Sequence, residues 1–226
     1  RDSFCAESPE GWNALLAWCH NNMKRVFLVT PEFFTIRGMM PNGTAIDVVM
    51  CRKDGPSSDG RHPDHVIVGT LLDDLARRDF TINAMAREVD TKTLEPVGNI
   101  IDPFNGMEDI RTQVLRPVGP RDSGPENVTE RLNEDGLRIL RAARFCATKN
   151  IAPSTFLKFA LNDPNHWIFL KNTVSEDRIR EELQKMFKID TPSAIRFLTT
   201  NCAHNAVDVL FNTHTNIWLK PTMEKK

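Results

Sequence analysis

Residues 25–51 read RVFLVTPEFFTIRGMMPNGTAIDVVMC, and the punctuation of this stretch decides the fold class. RVFLV (25–29), FFTIRGMM (33–40) and TAIDVVMC (44–51) are short β-branched or aromatic runs, separated by Pro31 and by the Pro41-Asn42-Gly43 turn, which is the pattern of successive strands. Upstream, PEGWNALLAWCHN (9–21) sets Trp12, Leu15, Leu16 and Cys19 at helical spacing behind a start signal at Ser8-Pro9-Glu10. From Arg52 to Pro63 apolar residues almost disappear, so the sheet is expected to stop there in a mobile loop. LLDDLARRDFTINAMAREV (71–89) returns to roughly helical spacing through Leu72, Leu75, Ile82, Met85 and Ala86, and reads as two short helices. LEPVG and IIDPFNG are extended pieces that lead to VLRPVG. After Gly119 strand signals nearly vanish, and segments starting near Asn133, Ser154, Ser175 and Thr191 look helical. The Pro-, Gly- and Ser-rich residues 119–127 then mark a boundary. The expected architecture is α+β: a mixed-sheet head over residues 1–119 and an all-α domain over residues 120–226.

Bulk properties bound the partners. With 226 residues and 40% hydrophobic content the chain can bury a sizeable core. Its 29 basic and 30 acidic residues exclude a generally cationic polyelectrolyte, so any nucleic-acid contact must be focused in a local patch. Five cysteines, at 5, 19, 51, 146 and 202, form no short Cys-x-x-Cys pair; they read as reduced thiols in a cytoplasmic compartment. His62 and His65 flank Pro63 and Asp64 in a loop pattern, not on a helical metal face. No apolar stretch approaches the roughly 18 residues of a membrane span, and no leader opens the chain. The first residue is Arg1 and not Met, as expected of a sequence that begins inside a longer reading frame.

Two runs carry the chemistry. Arg77-Arg78-Asp79-Phe80-Thr81-Ile82-Asn83-Ala84 combines guanidinium forks suited to phosphate oxygens with a carboxylate and an amide able to bond a ribose hydroxyl. The same residues also suit a surface salt-bridge cluster on a helix. In Asn133-Glu134-Asp135-Gly136-Leu137-Arg138, continuing to Arg141, Arg144 and Phe145, a helix would set Asp135 and Arg138 on one face and extend a basic ridge along it. An ordinary ion pair beside a solvated face fits that spacing equally.

These runs resemble signature motifs of the class II tRNA nucleotidyltransferase (CCA-adding enzyme) and bacterial poly(A) polymerase family, R-R-D-x-x-x-N-A and E-D-x-x-R, both intact here. Three further segments follow in the family's order: CRKDGPSSDGRHPD resembles its flexible loop, IDPFNGMEDI its head-to-neck connector and SEDRIREEL its neck-helix motif. The resemblance implies a nucleotidyltransferase-type head followed by a helical neck. The reaction it implies is template-independent addition of C and A from CTP and ATP to the 3′ end of tRNA, with Mg²⁺ as cofactor. Poly(A) synthesis or A-only addition, or nucleotide and RNA binding without catalysis, are the alternatives. It further implies that Arg78 holds the triphosphate, that Asp79 and Asn83 contact the sugar, and that Asp135 and Arg138, with Arg141 and Arg144 on the same ridge, serve the base. Cytosine and adenine both present an amino donor beside a ring-nitrogen acceptor. A carboxylate and a guanidinium match that edge and repel guanine and uracil.

The family holds two metal ions with an Asp-x-Asp pair and a third carboxylate on a neighbouring strand, which clamp the attacking and leaving oxygens. By resemblance Asp2 is the second residue of that pair and Asp47 the third carboxylate, so both are the expected metal-binding and catalytic residues. The first Asp and the Gly-Gly loop would precede Arg1. An acid in an apolar strand such as Asp47 also suits an edge strand facing solvent. Ser175 reads as an N-cap followed by the acids Glu176 and Asp177, and Arg178 as support for the nucleotide pocket. Asp102 and Asp109 frame a connector turn. Gly136 stands where the family often has Pro, and Leu132 where it often has an aromatic.

Overall fold

The computed structural model describes residues 3–6, 11–55, 66–120 and 124–211. The backbone of 3–6 is described, and its side chains are not. Asp2, His62 and His65 lie outside the described residues, as does most of the expected loop. The chain divides into two compact units, one made of residues 1–58 and 63–78, the other of 59–62 and 79–226. This division falls between Arg78 and Asp79, inside the R-R-D motif.

In the first unit, β1 (Ser3–Ala6) is followed by α1 (Gly11–Asn22), β2 (Arg25–Thr30), β3 (Thr35–Met39) and β4 (Ala45–Met50). The sheet order is β1-β4-β3-β2, with β1 parallel to β4 and the other neighbours antiparallel. Period-two alternation explains which face of β4 is buried: Ile46, Val48 and Met50 point inward while Ala45, Asp47 and Val49 do not. The Pro-Asn-Gly turn joins β3 to β4, and Gly43 takes the left-handed conformation (φ 87°) that a side chain would resist. Gly38 lets the backbone of β3 pass close to its neighbours: a Cβ there would sit 2.8 Å from the carbonyl oxygen of Arg25.

The four-stranded sheet ends at Met50, as expected, and a separate two-stranded sheet begins at Arg52, where a loop was expected. β5 (Arg52–Asp54) pairs antiparallel with β6 (Val66–Val68), because backbone pairing at the loop's two ends does not require apolar side chains. α2 (Leu71–Ala76) follows. It begins with a capping box in which the Thr70 hydroxyl accepts from the Asp73 backbone N–H and the Asp73 carboxylate accepts from that of Thr70.

The second unit opens with a 3-10 turn at Thr81–Asn83, a hairpin of β7 (Ala86–Val89) and β8 (Pro96–Ile101), α3 (Gly106–Thr112) and β9 (Val114–Leu115). The helical period read over residues 71–89 therefore holds only to Asn83, and residues 86–89 are a strand. Helices α4 (Pro125–Asn133) and α5 (Leu137–Lys149) follow, then a short β10 (Ala152–Pro153) parallel to β9. The unit continues as α6 (Thr155–Asn162), α7 (Pro164–Thr173), α8 (Glu176–Phe187), α9 (Thr191–Thr200) and α10 (Ala206–Phe211). Helix α5 is the axis of this unit. Leu137, Ile139, Leu140, Ala142, Ala143 and Cys146 bury most of its circumference against α4 and α6–α9. Phe80 joins the same core, fully buried and edge-to-face with Phe145 at 5.6 Å.

This is the α+β architecture expected. The reading of five reduced thiols is corrected: Cys19, Cys146 and Cys202 are free, but Cys51 is disulfide-bonded. Pairing depends on how close the fold brings two Cα atoms, which spacing along a sequence does not express. Among the described residues no helix is long and apolar enough to cross a membrane.

Candidate nucleotide-binding site

In the second unit the two motifs meet although 62 residues separate them. Asp79 is buried immediately before the 3-10 turn. Its Oδ1 accepts from the backbone N–H of Phe80 (2.9 Å) and from Nδ2 of Asn83 (3.0 Å), and its Oδ2 accepts from Nε of Arg141 on α5 (2.7 Å). Burial alone would raise the Asp79 pKa. Arg141, Asn83 and the Phe80 amide outweigh it and hold the carboxyl below the usual carboxylate range. A second buried acid of this network is Glu182 on α8, with 2% of its side chain exposed. It accepts from Nε of Arg144 (2.6 Å) and Nζ of Lys185 (2.7 Å), and lies 3.7 Å from Nη1 of Arg141. Burial opposes its ionisation, and the Lys185 hydrogen bond with the two arginines prevails, so its pKa too is lowered. Arg144 also stacks its guanidinium 4.4 Å from the centre of the Phe145 ring.

Asp135 is not helical. It sits in the turn between α4 and α5, where Oδ1 accepts from the Leu137 N–H (3.0 Å) and both oxygens accept from Arg178 of α8, at 3.2 and 2.7 Å. Arg138 donates instead to the Arg131 carbonyl (2.7 Å) and to Glu134 Oε2 (2.6 Å). The Asp135 and Arg138 side chains are therefore adjacent along the chain but bond different partners. The alternative of an ordinary ion pair beside a solvated face does not hold. Arg138, Arg141 and Arg144 are mostly buried, and carboxylates from α8, the Asp79 segment and Glu134 engage them. A helical period shows that three arginines share a face, but not that a second helix covers it.

Glu182 is the residue that motif spacing missed. Its signal was present: in SEDRIREEL a carboxylate falls within the apolar stripe of Ile179, Leu183 and Met186, the buried face of α8. Arg178, expected only as support, makes the bidentate contact to Asp135. Ser175 is the N-cap of α8 but makes no side-chain capping bond. Asp102 fastens the start of α3 by accepting from the Gly106 and Met107 N–H groups, and the fully buried Asp109 accepts from the Thr81 hydroxyl (2.7 Å).

In the first unit, Asp47 lies on β4, an interior strand, which removes the edge-strand reading. Its backbone pairs with Ser3 of β1 on one side and with Arg37 of β3 on the other. The Arg37 guanidinium forks onto both carboxylate oxygens at 2.5 and 3.1 Å. No group of three or more His, Cys, Asp or Glu residues converges among the described residues. Arg78 is held by Asp74 of α2, with Nη2 2.6 Å from Oδ2.

The two motifs lie on a chain of mixed sheets followed by helices, an α+β class of fold. Residues 6–116 match the poly(A) polymerase head domain. The CCA-adding enzyme of Lactobacillus johnsonii is 38% identical over 145 residues, which cover 64% of this chain and 32% of that enzyme. The CCA-adding enzyme of Streptococcus mutans is 37% identical over 171 residues, 73% of this chain and 38% of the enzyme. Among solved structures, the Bacillus stearothermophilus CCA-adding enzyme in complex with CTP is 28% identical with a TM-score of 0.59, covering 78% of this chain and 38% of that one. A CCA-adding enzyme in an apo form reaches 0.67 at 25% identity, covering 92% and 45%. The chain thus spans about a third of the length of the curated relatives it matches.

Proposed function

We propose that the chain carries the head and neck of a template-independent RNA nucleotidyltransferase that adds C and A from CTP and ATP to the 3′ end of tRNA. The head spans residues 1–119 and the neck residues 120–226. The observation that carries this reading is the bond from Arg141 to Asp79, which ties the sugar-contacting motif to the helix of the base-reading motif. In the proposed cycle Arg78 holds the triphosphate, while Asp79 and Asn83 accept and donate at the ribose hydroxyls. Arg141 keeps Asp79 ionised. Asp135 and Arg138 face the Watson–Crick edge of the incoming base, with Arg178 fixing the Asp135 carboxylate. Arg144, anchored by Glu182, supports that helix from behind.

Asp47 is the kind of donor Mg²⁺ takes, a carboxylate, and binding the ion there would require Arg37 to release one of the two oxygens it forks onto. Asp47 would hold it together with Asp2, and the ion would polarise the phosphoryl oxygens and lower the barrier to attack by the RNA 3′ hydroxyl. Arg37 orients Asp47 by its fork.

The test is incorporation of each labelled nucleotide onto a tRNA lacking its CCA end, with Mg²⁺, using this chain and one extended upstream of Arg1. Ordered C then A addition is expected. A-only growth would transfer the assignment to poly(A) synthesis. No product, with CTP still bound, would leave a nucleotide-binding module.

A further inference from the structure

We infer that Asp74 is a positioning residue for the triphosphate: from inside α2 it holds the guanidinium of Arg78 in the orientation that receives phosphate oxygens. The inference rests on the reading of Arg78 as the triphosphate-binding cation and extends it to a residue that touches no ligand. Asp74 is 1% exposed, and a carboxylate so buried persists only with its charge matched. It divides its two oxygens, Oδ1 accepting from Nε and Nη2 of Arg77 and Oδ2 from Nη2 of Arg78. Arg78 is thereby held at one nitrogen, Nη2, while 31% of its side chain stays exposed, so the guanidinium is fixed without being covered.

The surrounding charges keep the site attractive to an anion. Arg77 also approaches Asp54 (3.6 Å), which pairs with Arg52 (3.0 Å) at the start of β5. Among the described residues the cluster holds three guanidinium groups, Arg52, Arg77 and Arg78, and two carboxylates, Asp54 and Asp74. Nε of Arg78 is buried without a hydrogen-bond acceptor among the described residues, so its own acids do not saturate that guanidinium.

Positioning and simple charge predict opposite signs. Asp74→Asn removes a negative charge beside the phosphate cation. If charge alone mattered, the variant would bind anions more tightly. If Asp74 positions Arg78, the affinities for CTP and for inorganic tripolyphosphate fall together, by about tenfold or more, while cytidine binds unchanged because its contacts lie elsewhere. The experiment is calorimetric titration of the full chain with CTP and tripolyphosphate, an NMR titration with cytidine, and Arg78→Ala in parallel. Unchanged or tighter tripolyphosphate binding by Asp74→Asn, with Arg78→Ala defective, overturns the positioning role alone. Unchanged CTP binding by Arg78→Ala overturns the reading of Arg78 itself. Should Asp74→Asn not fold, nitrogen NMR of the parent chain decides. Slow rotation about the Arg78 Cζ–Nε bond, its signal assigned by Arg78→Lys, is expected without ligand, and free rotation overturns the inference.

Discussion

Glu182 has the least solvent contact of the acids in the neck network and holds the largest number of cations. Removing one partner of a buried pair strands the others. Glu182→Ala is therefore expected to destabilise the chain by about 3 kcal/mol, the lower end of the range for such losses, because Arg141 and Lys185 retain solvent contact. Urea denaturation measures this. The pH dependence has a fixed sign: the folded pKa lies below the ordinary 4.5, so the stabilisation is complete above that value. It disappears as pH falls through the depressed pKa. The gap in unfolding free energy between parent and Glu182→Gln should thus be full at about pH 7 and narrow as pH falls below the ordinary carboxylate range; a gap independent of pH would show that charge is not what Glu182 contributes. Asp135 answers a different question. If it reads the base, Asp135→Ala should lose about 10- to 100-fold of its preference for CTP and ATP over GTP and UTP. Equal preferences in parent and variant would end the base-reading assignment.

At the scale of elements, the turn between α4 and α5 explains the departure at Gly136. Its φ of −54° suits proline, so conformation is not what excludes one there. The neighbour is: a Cβ at Gly136 would lie 2.4 Å from Oγ1 of Thr173, at the end of α7. Thr173 cannot easily yield, since that hydroxyl donates to the Phe169 carbonyl (2.8 Å). Gly136→Ala should cost about 1–3 kcal/mol, and adding Thr173→Ala should recover part of it. Additive losses in a double-mutant cycle would refute this account. Much of this level was legible beforehand. α1, β2, β3 and β4 follow from apolar period and turn residues, and α8 follows from Ser175 and its acids. α4, α7 and α10 were not separately legible. α4 has few apolar residues along PENVTERLN, and α7 buries His166, Trp167 and Leu170 through contacts that local pattern does not encode.

For the whole molecule, the two compact units differ in their cores. The second contains one continuous apolar cluster running from Phe80 through α5 to Leu210. The first relies on a smaller set around Ile36, Val48, Met50 and Leu75, and its β2 leaves Phe27 and Leu28 exposed. Hydrogen exchange at rising denaturant should therefore release the amides of β2–β4 before those of α5 and α8; simultaneous release would show a single cooperative unit. The sequence by itself determined the alternation of strands and helices, the change to mainly helical structure beyond residue 119, where only the short β10 departs from it among the described residues, and the residues of the two motifs, because period, turn chemistry and a fixed order of charged groups are properties of the chain. Only the tertiary structure decided that Arg141 meets Asp79 and that Arg178, not Arg138, binds Asp135. It also decided that Glu182 closes the network and that Cys51 is bonded. Those pairings depend on which buried charges and thiols the packing brings within bonding distance, and no local pattern states that distance.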